Sequence, residues 1–300
     1  MNADIVLALL AGVFFAIYQL FNRLAGLKIS LTRMMVTLLT TCVATIALLV
    51  FFLVGPPAAW SLSGLGLIYF AAAGFFHFVL GFTFISLSQK RVGAGRTGAL
   101  VGTVPIFAAI VGWIVLGELI SGVRILAIGV IVAGATLIST EQIKGQVAKG
   151  TPLYGIGAAA SFSISAAFIR SGLVAGAPPL VGLLIGFLTA LLFYLLVSLG
   201  QRLRSPVLPD SPAPATAPTM GRVYVLQIAA GVAIALAMWF RYIATATVPI
   251  AVVTALGRVN IPTILILSPL VLKTPIDTTS LRLWGGATAV LLGTGMLAFL

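Results

Sequence analysis

Acidic side chains are scarce in this chain: Asp4, Glu118, Glu141, Asp210 and Asp277 are the five in 300 residues. Charged residues make up 7% of the sequence and hydrophobic ones 61%, a balance that excludes a water-soluble globular domain. Cys42 and His77 are the single cysteine and the single histidine. No intramolecular disulfide can form, and too few thiolate or imidazole ligands exist for a conventional zinc, iron or haem site, so no cofactor is expected. The G-x-x-x-x-G-K pattern that cradles nucleotide phosphates is also missing, which excludes direct drive by ATP.

Long apolar runs fill the chain instead, with a mean hydropathy of +1.22. A bilayer core of roughly 30 Å takes about 20 apolar residues per helix, because lipid leaves each backbone to satisfy its own hydrogen bonds. The pattern predicts an all-α integral membrane protein with ten spans, at 3–24, 32–54, 63–87, 96–117, 122–140, 152–171, 178–200, 222–243, 249–271 and 279–300. Residues 1–140 and 141–300 form two five-helix halves, and the Pro/Ala/Ser-rich stretch 201–221 reads as a mobile loop. No basic n-region or small-residue cleavage site flanks the first span, so it is expected to be retained.

The net charge of +12 is dispersed, which argues for lipid and against nucleic acid as the partner. Arg23, Lys28, Arg33, Lys90, Arg91, Arg96, Lys144, Lys149, Arg202, Arg204, Arg222, Lys273 and Arg282 fall on one side of the ten-span scheme. Arg124, Arg170 and Arg241 fall on the other, and Arg258 lies inside a span. The positive-inside rule then places both termini outside a cell, or inner, membrane.

The halves echo each other. Phe15, Ile17, Phe21 and Arg23 match Phe162, Ile164, Phe168 and Arg170; Ala73-Gly74 matches Ala230-Gly231, Pro105 matches Pro262, and Gly129 matches Gly286. An odd number of spans per half makes the second copy enter the membrane inverted. Residues 104–138, VPIFAAIVGWIVLGELISGVRILAIGVIVAGATLIS, resemble the segment shared by ten-helix EamA-like exporters of the drug/metabolite transporter superfamily: a helix with a Pro, a Gly-Glu corner, and a Gly-spaced helix. Overall the chain is most similar to the YddG-type aromatic amino acid exporters, and that resemblance implies amino acids as the solute. The second half departs from the pattern, with Thr274-Pro275 where the first has Gly117-Glu118. Glu118 itself is expected to cap the fifth span and pair with Arg124.

Ionisable groups at membrane depth cost about 2.5–3.5 kcal/mol on insertion scales and need a reason. Arg258 has no acid at its depth in the ten-span scheme. Two readings stand: it holds a solute carboxylate, or it bonds carbonyls freed near Pro262. His77 shares an α-helical face with Gly74, Gly81, Phe84 and Ser88, serving either as packing or as a neutral donor. Phe15, Tyr18, Gln19 and Asn22 form a stripe on the first span, and Ser165 lies on the matching stripe of the sixth. Asn260, two residues from Arg258, is expected to pack. Trp239 and Tyr242, at i and i+3 on the eighth span, read as an interfacial belt, an outward gate or a stacking surface for an aromatic solute. The belt itself is assigned to Trp60, Trp113 and Trp284.

These residues favour a secondary carrier, not an enzyme, that exports a small-molecule substrate by alternating access to a midplane cavity. Alternatives are carriage of another metabolite class or of drug-like compounds with proton coupling, a channel, and an intramembrane enzyme. Gly182/Gly186 and Gly98/Gly102 are GxxxG pairs that serve helix packing or a homodimer, so the chain is a monomer or homodimer.

Overall fold

A computed structural model describes residues 3–24, 39–46, 50, 63–92, 94–141, 152–204, 220–272 and 280–299. All described elements are helical. They run α1 (Ala3–Leu24), α2 (39–46), α3 (Gly64–Gly74), a π-helical segment (Phe75–Gly81), α4 (Phe82–Val92), α5 (Ala94–Gly102), α6 (Val104–Leu116) and α7 (Gly122–Glu141). The second half runs α8 (Leu153–Val174), α9 (Pro179–Arg204), α10 (Met220–Thr247), α11 (Ile250–Leu256), a 3₁₀ turn (Gly257–Val259), α12 (Asn260–Leu272) and α13 (Leu281–Phe299). Among the described residues, nine helical stretches are long and apolar enough to cross a membrane, which makes this a multi-pass membrane protein. The second expected span and Trp60 fall mostly or wholly outside the described residues. The expected loop 201–221 is shorter than its composition suggested, since α9 continues to Arg204 and α10 begins at Met220.

Small residues decide which helices touch. A Cβ on Gly134 of α7 would lie 2.6 Å from the Gly286 carbonyl of α13, and one on Gly286 would lie 2.7 Å from the Gly134 carbonyl, so these backbones meet directly. Gly74 and Gly186 bring α3 and α9 together in the same way. The two GxxxG pairs are spent inside the chain. Gly182 admits the Phe70 ring of α3, while Gly98 and Gly102 face Ser139, Ala135 and Thr136 of α7. With no hydrophobic drive between helices in lipid, such close backbone packing is a main source of association.

The pairings cross the two halves. α1 lies along α10 while α3 to α4 lie along α8; α6 packs on α8 while α12 packs on α1; α7 lies along α13. One core gathers α1, α6, α7, α11 and α13, with Ala127, Ile131, Ile250 and Val290 at its centre. A second, richer in aromatics, gathers α3, α9 and α10 around Phe70, Phe187 and Tyr242.

The corner between α6 and α7 ties the halves at one membrane end. Gly117 adopts φ 66°, the left-handed conformation that ends a helix, and Glu118 N–H bonds back to the Gly112 carbonyl at 3.0 Å. This turn aims Glu118 across the halves. Its Oε2 accepts from the Ile250 N–H at 2.9 Å, so the carboxylate caps α11 and not the fifth span as the sequence suggested. Pro249 precedes Ile250 and ends α10, which leaves the α11 N-terminus in need of an acceptor. At the same end, Arg170 Nη1 donates to the Thr245 carbonyl at 2.6 Å and Thr247 Oγ1 donates to Asp4 Oδ2. Burial raises the Glu118 carboxyl above its ordinary 4.5, against the opposing effects of the Ile250 bond and the Arg170 charge.

Two outcomes follow from these contacts. Gly134→Val, by driving α7 off α13, lowers the thermal midpoint in detergent by the equivalent of about 1–3 kcal/mol, whereas Gly129→Ala, with nothing within 4 Å, does not lower it. A folded-state value raised above the unfolded one means the native protein holds the Glu118 proton to higher pH. Its contribution is therefore full below pH 4.5 and is lost as the pH rises through the raised value. Thermal unfolding across that window should show the wild type declining relative to Glu118→Gln.

Candidate functional site

Two membrane spans are broken near their middles, and both breaks follow from proline. Pro105 has no N–H, so the Val101 carbonyl one turn earlier loses its helical partner. The backbone tightens there, with Thr103 N–H and Thr103 Oγ1 both donating to the Leu100 carbonyl at 3.2 and 2.6 Å. The span accordingly divides into α5 and α6. Pro262 does the same to the carbonyl of Arg258, and the chain tightens into the 3₁₀ turn Gly257–Val259 between α11 and α12. Gly12 of α1 makes room for this turn, since a Cβ there would lie 2.5 Å from Val259 and 2.8 Å from the Gly257 carbonyl.

The breaks meet through Arg258. Its Nη2 donates to the Val101 carbonyl at 2.8 Å, the acceptor that Pro105 leaves free. The expected carbonyl partner was near Pro262, on its own span; the actual one lies beside the matching proline of the other half. Arg258 Nε is buried and has no hydrogen-bond partner. Asn260 is buried at 6% exposure, as expected from its angular offset.

A second arginine joins the site. Arg241 stands six residues before the end of α10, with Nη2 buried and unpartnered, and lies close enough to act electrostatically on both Arg258 and His77. The ten-span scheme ends this span at 243 and so places Arg241 at the outer surface. The helix continues to Thr247 and stops only ahead of Pro249, a signal that was present in the chain. Arg241 is therefore more than a turn deeper than its assigned place.

His77 lies in the π-helical segment, which opens the helix by one residue per turn and so breaks the uniform face drawn for it. Gly74, one side of the opening, meets α9, while His77 and Gly81 meet α8. The imidazole is ringed by Phe78, Phe162 and Phe82 at centroid distances of 4.7, 4.8 and 6.1 Å, and its Nδ1 is buried without a partner. Gly81 admits Phe162, to which a Cβ would lie 2.5 Å away. Phe84 packs on Tyr154, at 6.1 Å, nearer the end of the span.

The remaining expected residues divide. Phe15 and Tyr18 of α1 are half-buried with rings 5.6 Å apart, the Tyr18 hydroxyl lies near the Asn22 side chain, and Gln19 is half-buried on the same helix. Ser165 is fully buried and donates to the Ala73 carbonyl at 2.9 Å, fastening α8 to α3. Trp239 is half-buried and stacks on Phe240 at 5.5 Å. Tyr242, at 1% exposure, stacks on Phe70 at 6.0 Å in the core, so the belt reading of that residue is corrected: the space left by Gly182 and Gly186 of α9 draws both rings inward. Trp113 and Trp284 remain exposed near helix ends, where a belt would hold them.

Acids do not reach this depth among the described residues. Asp4 stands at the start of α1 bonded to Thr247, Glu118 sits in the α6–α7 corner, and Glu141 ends α7. Asp210 and Asp277 lie outside the described residues.

Among solved structures, 28 chains match this one. One of them, a crystal structure described only as that of a protein, is 15% identical, covers 99% of this chain and 98% of its own, and superposes with a TM-score of 0.72. At that identity the likeness is one of fold. No curated protein sequence matches the chain. Residues 3–140, from α1 to the end of α7, match the model of the EamA-like transporter family, so in its first half this membrane protein is similar to a family of transporters.

Proposed function

We propose that the chain is a secondary carrier that exports small organic metabolites bearing a carboxylate, by alternating exposure of a midplane site between two inverted five-helix repeats. The amino acids implied by its resemblance to aromatic amino acid exporters belong to this class. The observation that carries the reading is a set of buried polar atoms without partners, Arg258 Nε, Arg241 Nη2 and His77 Nδ1, at a depth where no described residue is acidic. A solute carboxylate supplies the missing charge through hydrogen bonds that are strong because both partners are ionised.

Broken spans at matching places in the two halves support alternating access, since such interruptions line the sites of carriers built from inverted repeats. The helix pairings are those a pseudo-two-fold axis would produce: α1 with α10 becomes α8 with α3 to α4, and α7 with α13 maps onto itself. An enzymatic reading has less support, because the lone imidazole is ringed by phenyl groups. With Arg241 inside a span, the charge asymmetry of the ten-span scheme supports outward termini.

Uptake of L-phenylalanine, benzoate and succinate into proteoliposomes tests the proposal. Saturable flux with trans-stimulation is expected for at least one carboxylate, and Arg258→Ala should lower it at least tenfold or so while the protein still inserts. Undiminished flux in the variant, or preference for a cation without a carboxylate, would overturn the reading.

A further inference from the structure

Resting on the carrier reading, we infer that the favoured solute carries two negative charges, as a dicarboxylate or a phosphate monoester does, and that Arg241 is the residue that selects for the second. Two guanidiniums share one electrostatic neighbourhood, since α10 and the 3₁₀ turn both pack on α1, and neither is paired with a carboxylate among the described residues. Arg258 spends Nη2 on the Val101 carbonyl, a neutral acceptor, and keeps Nε free. Arg241 has no described hydrogen bond from its side chain, and its Nη2 is buried and unpartnered.

A monoanion lying between them neutralises one positive charge and leaves the other uncompensated in a low-dielectric setting, where the two arginines also repel each other. A dianion neutralises both. A zwitterionic amino acid fares worse still, since its ammonium would enter a neighbourhood that already holds two cations and has no described carboxylate to receive it. Arginine presents several donors in a planar fork, so two of them can hold two carboxylates or several oxygens of one phosphate. The ring contacts of His77 are Phe78, Phe82 and Phe162, so the imidazole brings no acid to the two arginines.

Binding to the purified full-length protein in detergent, read by calorimetry, separates the cases. The probes are benzoate as a monoanion, L-phenylalanine as a zwitterion, succinate as a dicarboxylate, and glycerol 3-phosphate as a phosphate monoester. Succinate or glycerol 3-phosphate should bind at least tenfold more tightly than benzoate and L-phenylalanine, the better of the two telling which acidic group the site fits. Arg241→Gln should abolish that preference, lowering succinate and glycerol 3-phosphate affinity at least tenfold and by more than it lowers benzoate affinity. Arg241→Lys, which keeps the charge and guards against a folding defect in the glutamine variant, should retain a preference for dianions. Equal or tighter binding of benzoate or L-phenylalanine would overturn the inference and leave carboxylate carriage standing. Binding of none of the four would overturn both.

Discussion

The bond from Arg258 to the Val101 carbonyl is the contact on which the centre of the molecule depends. A mid-membrane arginine costs about 2.5–3.5 kcal/mol to insert, and a hydrogen bond from a charged donor returns about 1.5–3 kcal/mol. Those magnitudes nearly offset, so one carbonyl suffices to make Arg258 tolerable. The carbonyl is there to be taken only because Pro105 cannot donate to it. Two prolines, one in each half, thus interrupt two spans and let one half supply the donor and the other the acceptor. Arg241 has no comparable bond among the described residues, and that imbalance is the ground on which an anionic solute is proposed.

Around that contact the fold is arranged to bring backbones close and to leave few polar groups in lipid. Glycine against glycine at Gly134/Gly286 and Gly74/Gly186 brings helices from opposite halves into direct contact. Ser165 and Arg170 each meet a carbonyl on a neighbouring helix, and Tyr194 Oη donates to the Phe78 carbonyl at 2.8 Å beside the π-helical opening. Where polar atoms are satisfied the helices are fastened to each other. Buried side-chain atoms without partners remain on Arg241, Arg258 and His77 of the proposed site, and on Glu118 and Thr294 outside it.

Much of the frame was legible in the chain because hydropathy and backbone satisfaction leave little choice: the first span, at 3–24, and the span at 122–140 fall within a residue of α1 and α7. Arg258 was legible for the same reason, as an isolated charge in an apolar run. Its partner was not, because a proline tells that a carbonyl is free without telling which side chain will reach it from another helix. Arg241 was hidden by a boundary drawn four residues short, and a span end is where apolar sequence carries least information. The π-helical opening at Phe75–Gly81 left no readable mark, so the face assigned to His77 assumed a regular turn that the helix does not keep. Glu118 was recognised as a cap, and its true recipient, α11, became visible only when the halves were brought together.

A structure of the protein with succinate bound would test most directly whether the buried guanidiniums draw their counter-charge from the solute. The account predicts carboxylate oxygens about 3 Å from Arg241 Nη2 or Arg258 Nε, with Arg258 still reaching Val101 or released from it by the solute. An aspartate or glutamate of the chain, such as Asp210 or Asp277, found against those guanidiniums with succinate elsewhere would contradict it.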